Sequence, residues 1–140
     1  MTDVAIAKIS DTTLDVAKHE AAVAHPGAGA TVVFTGVVRE NDHGRAVTEL
    51  EYHGHPSAQQ VLAEIAAEFA ALPDVLAIAV SHRVGKLAVG DVALVAALST
   101  GHRGEAFSLS ARLVDEVKSR LPIWKRQLFT DGTDEWVNCP

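Results

Sequence analysis

Apolar and polar positions along this chain switch between a helical and a strand period, and the switches mark its elements. After the capping cluster Ser10-Asp11-Thr12, Leu14, Val16, Ala17, Ala21 and Val23 recur at helical spacing until Pro26-Gly27-Ala28-Gly29 ends the run. Residues 30–38 are rich in β-branched side chains and read as a strand finishing at Arg39. Asn41-Asp42-His43-Gly44 is a turn and residues 46–53 return as a second strand, so the two are expected to form a hairpin. Pro56-Ser57 opens a helix with Val61, Leu62, Ile65, Ala66 and Phe69 on one face. Residues 75–84 and 92–99 are two further strands, joined around Gly85-Lys86-Leu87 and Val89-Gly90-Asp91. A long helix follows from Arg103 to Arg120 and must stop near Pro122. Residues 123–129 and the pair Trp136-Val137 supply short extended pieces around an Asp131-Gly132 turn. The order αββαββα with a β tail predicts a single α/β domain over residues 1–140, with helices packed on a largely antiparallel sheet.

On the long helix, Ala106, Phe107, Ser110, Leu113, Val114, Val117 and Leu121 fall within an arc of roughly 120°. Lys118 lies on the edge of that arc, about 20° from the direction of Phe107. A lysine there is partly desolvated, a setting that favours base or nucleophile chemistry. The alternative is a snorkelling lysine whose stem covers the core edge.

The chain carries a formal net charge of −6, which argues against a nucleic-acid binder. No apolar run approaches the ~18 residues of a membrane span, and the N-terminus lacks the regions of a signal peptide. The one cysteine, Cys139, excludes an internal disulfide and reads as a free thiol in a reducing compartment. A cytoplasmic protein is the expectation.

Against that acidic background, Arg103, Arg112, Lys118, Arg120, Lys125 and Arg126 gather with His102 on one helix and its exit turn. Such a concentration of cations points to an anionic small molecule. Gly101 lets the backbone approach a ligand, and His102-Arg103 beside free helix N–H groups makes an anion site. A capping turn with a surface arginine is the plainer reading of the same residues. Arg103 and Lys118 are 15 residues apart, which is about 22 Å of helix. One small ligand cannot touch both from one chain, so if both serve one site, that site crosses a two-fold dimer interface. Pro122 fixes the helix exit so that Lys125 can fold back towards Lys118, where two close lysines favour one neutral amine as a general base. Arg39, at its strand end, can add a forked contact to a phosphate.

The segments Phe34-Thr35-Gly36-Val37-Val38-Arg39, Leu50-Glu51-Tyr52, the run from Ser81 to Asp91, His102-Arg103-Gly104-Glu105-Ala106-Phe107, Lys118, Pro122-Ile123-Trp124-Lys125 and Trp136-Val137 resemble, in order, the large subunit of molybdopterin synthase, the MoaE family. The resemblance implies an α/β hammerhead fold and a homodimer flanked by two copies of a small ubiquitin-like sulfur carrier, a MoaD-like subunit ending in Gly-Gly. The carrier's C-terminal thiocarboxylate would donate sulfur to cyclic pyranopterin monophosphate. Two transfers build the dithiolene of molybdopterin and open the cyclic phosphate. It further implies that Lys118 and Lys125 are catalytic and that Arg39, His102 and Arg103 bind the pterin phosphate. Val37, Val38, Arg126 and Gln127 would line the site. No cofactor and no metal are expected. The thiocarboxylate is itself a soft anionic nucleophile, so the enzyme needs cations and a proton shuttle rather than a cysteine of its own. Lys118 is expected to exchange protons with substrate or engage the carrier's terminal carbonyl, and Lys125 to stabilise the phosphate or developing anion; the two roles could be exchanged.

The chain departs from the family pattern at Gln127, where glutamate is frequent, and at residues 53–60, usually acidic and aromatic. His53 and His55 share a strand face but lack a third metal ligand. His82-Arg83 reads as structural or as part of the partner interface. Two rivals remain. A non-catalytic dimeric scaffold for the sulfur carrier is opposed by the intact lysines. An unrelated phosphate-ester hydrolase or nucleotide binder is opposed by the lack of a Gly-rich phosphate loop, a carboxylate metal cluster and a nucleophile triad.

Overall fold

The computed structural model describes residues 3–139, the side chains of Asp3, Asn138 and Cys139 excepted, so the expected free thiol of Cys139 lies outside the described residues. The elements are β1 Asp3–Ser10, α1 Val16–Ala22, β2 Ala30–Val37, β3 Asn41–Asp42, β4 Arg45–Gly54, α2 Ala58–Ala70, β5 Val75–Arg83, β6 Gly85–Ala88, β7 Val92–Thr100, α3 Arg103–Arg120, β8 Ile123–Phe129 and β9 Asp134–Cys139. They form two sheets, and the expected mixed α+β class with mostly antiparallel pairing is what is seen.

The first sheet runs β1-β5-β7-β2, with β1 parallel to β5 and the other pairs antiparallel. Both of its faces are covered. Ile78 and Val80 of β5 and Leu94, Ala96 and Leu98 of β7 pack with Leu62, Ile65 and Phe69 of α2 and Leu113 and Val117 of α3. Ala77, Ala79 and Ala97 face Val23, which follows α1. Burial on both faces explains why β5 and β7 read as unbroken apolar runs instead of alternating ones.

The second sheet is built on β4. Strand β8 pairs along one edge of β4, β3 and β6 pair with β4 as well, and β9 pairs with β8. Here the structure corrects the expected hairpin. Strand β2 pairs with β7, not β4. Its Val32 and Phe34 pack, partly buried, on one core cluster and Val33 on another, so β2 forms an edge of the first sheet. The turn at residues 41–44 closes the tight β3–β4 hairpin instead, with His43 at φ 50° and Gly44 at φ 81°. Two successive positive φ values are the geometry of a primed hairpin turn. Three strands went unread in the sequence, the two-residue β3 among them because Asn41-Asp42 reads as part of the turn. Strand β1 is a short apolar run at the chain's start, and β6 lies in what looked like a connecting turn. The cap of α1 is Asp15, whose carboxylate accepts from the Lys18 N–H at 3.1 Å, rather than the Ser10–Thr12 cluster.

Helix α3 stops as the sequence requires. Leu121, before Pro122, is already extended at ψ 121°. Its buried face is Ala106, Leu109, Ser110, Leu113, Val114 and Val117, so the apolar arc is rotated from the expected one. Leu109 is inside and Phe107 is 66% exposed. Lys118, placed by its angle to Phe107, is therefore exposed and not half-desolvated.

Candidate functional site

The C-terminal end of α3, the exit into β8, the end of β2 and the β3–β4 hairpin meet around a cavity of about 240 Å³. Its floor is apolar, formed by Leu50, Leu94, Val117, Leu121 and Ile123. Its walls carry Arg39, Lys118 and Lys125. The sheet architecture explains this convergence. Val38 N–H donates to the Asp91 carbonyl at 3.0 Å, and Gly90 N–H donates to the Val38 carbonyl at 2.9 Å, so the chain leaving β2 is pinned beside β7 before Arg39 emerges. Alternation along β8 sends Lys125 and Gln127 to the cavity side. The proline-fixed exit thus brings Lys125, half-buried, and Lys118 to one space, as the sequence leads one to expect.

Of the other sequence-derived residues, Val37, Val38, Arg39 and Gln127 line the cavity. Arg126 does not. It points to the other face of β8, where its Nε donates to Asp134 Oδ2 at 2.6 Å and its guanidinium stands 3.5 Å from Glu51. Reading Lys125-Arg126-Gln127 as one lining segment ignored the two-residue strand period. His102 and Arg103 are exposed at the far end of α3 and do not reach the cavity. His102 holds the N-cap position in extended geometry, φ −132° and ψ 154°, without a capping bond from its side chain. His53 and His55 diverge: the first lies 3.3 Å from Glu51, the second shares a 2.8 Å hydrogen bond with the Ser57 hydroxyl. Among the described residues no group of three or more His, Cys, Asp or Glu could hold a metal ion.

Sequence reasoning missed His82 and Asp42 as cavity residues. The period of β5 was the available signal for His82, because Ile78, Val80 and His82 share one face and the first two are core. His82 is buried, with Nδ1–H donating to the Arg83 carbonyl at 2.8 Å and its ring edge-on to Tyr52 at 5.0 Å. Burial, reinforced by the nearby Lys118 charge and only partly offset by the Arg83 carbonyl, pushes its pKa down to about 4. The imidazole is thus neutral at physiological pH and adds no charge to the cavity. In the unfolded chain the ordinary value of 6.5 returns, so the unfolded state binds the extra proton between those limits. Stability is expected to fall as pH drops through that window, by about 2 kcal/mol between pH 7.5 and pH 5. Urea unfolding of wild type and His82→Gln at both pH values checks this, since the variant should lose that much less; equal losses would refute it.

Asp42 is held by the Gln127 side chain, whose Nε2 donates to Oδ2 at 2.8 Å. That hydrogen bond is the main cause of a carboxyl pKa below its usual value, aided by His43, Lys125 and Arg39 and opposed by burial. Asp42 is therefore an ionised carboxylate within a cationic wall.

Fold and site together define a mixed α+β protein in which Lys118 and Lys125 from the α3–β8 junction and Arg39 from the end of β2 line one cavity. The family model described as MoaE protein matches residues 9–120, and the chain belongs to the MoaE family. It is 39% identical over 112 residues to the molybdopterin synthase catalytic subunit of Neosartorya fischeri, a match covering 79% of this chain and 60% of that one. The chain thus spans well under two thirds of that fungal relative's length. It is 39% identical over 116 residues to the protein of the same name from Halalkalibacterium halodurans, covering 82% of this chain and 74% of that one. The fold is similar to the crystal structure of molybdopterin synthase from Staphylococcus aureus, with a TM-score of 0.84 and 30% identity over 92% of this chain and 94% of that one.

Proposed function

We propose that this chain is the catalytic large subunit of a molybdopterin synthase, a sulfurtransferase of molybdenum cofactor biosynthesis. Its donor is the C-terminal thiocarboxylate of a small ubiquitin-like, Gly-Gly-tailed subunit, and its acceptor is cyclic pyranopterin monophosphate. The observation that carries this reading is the convergence of Lys118 from α3 and Lys125 from β8 on one cavity beside Arg39. Family membership supports it.

The chemistry follows from the positions of the side chains. The thiocarboxylate arrives as the nucleophile, so the protein must neutralise two anions and move protons as the cyclic phosphate opens. Lys118, exposed at the cavity mouth, exchanges protons with the substrate or engages the carrier's terminal carbonyl. Lys125, half-buried beside Asp42, and Arg39 supply charge to the phosphate. The apolar floor gives the pterin a surface to lie on. His102 and Arg103 complete the phosphate contacts from the α3 N-terminus of a second copy, because helix length keeps them from their own chain's cavity. The working particle is then a homodimer carrying two sulfur-carrier subunits. Among the described residues no helix is long and apolar enough to cross a membrane, and we place the protein in the cytoplasm.

The test is conversion of cyclic pyranopterin monophosphate to molybdopterin by the purified chain mixed with a thiocarboxylated carrier. Product supports the reading. A complex without product identifies a scaffold, and absence of a complex refutes the whole assignment.

A further inference from the structure

A cavity that receives anions gains nothing from a carboxylate, yet Asp42 faces this one with its side chain only 15% exposed. An ionised carboxylate there opposes any anionic ligand, so its presence has to be explained by what it holds. Two cations and a histidine ring surround it. Arg39 Nη2 is 3.7 Å from Oδ1, the His43 ring is 3.8 Å from the same oxygen, and the charge of Lys125 bears on the carboxyl. The other oxygen accepts the 2.8 Å bond from the Gln127 amide, which ties the β3–β4 hairpin to β8 across 85 residues of sequence. Arg39 is otherwise a long side chain, 78% exposed, and such a chain loses much rotamer entropy when a ligand fixes it. An anchored carboxylate three residues away restrains it beforehand.

We propose that Asp42 is a positioning residue: its carboxylate, fixed by the Gln127 amide, aims Arg39 and Lys125 into the cavity and at the same time weakens anion binding there. The pair works only as one carboxylate and one amide, because two carboxylates at that distance repel. This inference rests on the sulfur-transfer reading for its turnover consequence alone; its binding consequence stands independently.

Inorganic phosphate, followed by NMR titration of the purified chain, is the probe. Asp42→Asn keeps the size and can still accept from Gln127, so only the charge is lost. Phosphate should bind this variant about fivefold more tightly, while kcat for molybdopterin formation falls about tenfold because the cations lose their guide. A merely structural role would weaken both. Gln127→Glu sets a second carboxylate against the first and should weaken phosphate binding about tenfold. The double variant Asp42→Asn/Gln127→Glu restores one carboxylate and one amide and should return to within about threefold of wild type. Three results overturn the inference: Asp42→Asn binding phosphate no better than wild type, a double variant no better than Gln127→Glu, or a wild type that does not bind phosphate at all. If the phosphate order holds but wild type makes no product, the functional reading fails and the positioning role of Asp42 stands. If wild type turns over but the order is absent, the positioning role alone falls.

Discussion

Alanine at position 118 is expected to lower molybdopterin formation at least about a hundredfold while the complex with the sulfur carrier still forms. Lys118 reaches the cavity from the last turn of α3, and its neighbours there, Val117 and Leu121, are buried in the floor and keep the turn in place. Because Lys118 itself is exposed, truncation removes no core contact and thermal stability should stay within a few degrees of wild type. The loss therefore belongs in kcat and not in folding. Single-turnover conversion, run beside a binding assay with the carrier, separates these effects. A Lys118→Ala protein that retains normal turnover removes Lys118 from the mechanism.

The second large effect lies away from the cavity, at Gly29. Its N–H donates to the Thr100 carbonyl at 3.0 Å where β2 begins beside the end of β7. A Cβ at this position would sit against the backbone carbonyl oxygen of Gly101, closer than real contacts allow. Backbone cannot swing aside as a flexible side chain can, so either the start of β2 or the residue 100–102 turn has to move. Gly29→Ala is expected to cost about 2–4 kcal/mol, seen as a fall of roughly 10 °C in Tm. Gly101→Ala is the control, because a Cβ there meets nothing within 4 Å; its cost should stay below about 1 kcal/mol. Equal stabilities for the two variants would contradict the close approach. The turn that would move also leads into His102 and Arg103, so Gly29→Ala should disturb the phosphate contacts proposed for that end of α3 as well.

Much of this architecture can be read from the chain because it is written in local periods. Helix α2 buries Leu62, Ile65, Ala66 and Phe69, four of the five positions its spacing singled out. The phase of α3 was less legible, since Phe107 is apolar in kind but lies beyond the strip that the first sheet and α2 cover. Pairing between distant segments was not legible at all. Nothing local distinguishes a β2 that pairs with β4 from one that pairs with β7, and the difference lies in tertiary contacts, where Val32 and Phe34 pack on one core cluster and Val33 on another. The same limit governs the site. Lys118 and Lys125 are close in sequence and their convergence follows from a helix, a proline and a strand. Asp42 meets Gln127 only through the pairing of β3, β4 and β8, which no spacing announces. Arg126 shows the converse, being adjacent to Lys125 in sequence and on the opposite face in the sheet.

In the proposed site, sulfur transfer takes place in the Lys118–Lys125 cavity of one subunit completed by the α3 N-terminus of another. Subunit complementation tests it most directly. Lys118→Ala and Arg103→Ala proteins are each assayed alone with a thiocarboxylated carrier, then unfolded together, refolded as mixed dimers and assayed again. In a shared site each homodimer is inactive, whereas each mixed dimer regains one cavity with both residues intact; random pairing of equal amounts makes about half the dimers mixed, so activity of the refolded mixture should return towards about a quarter of wild type. Homodimers that remain active, or mixed dimers as inactive as their parents, would contradict the account.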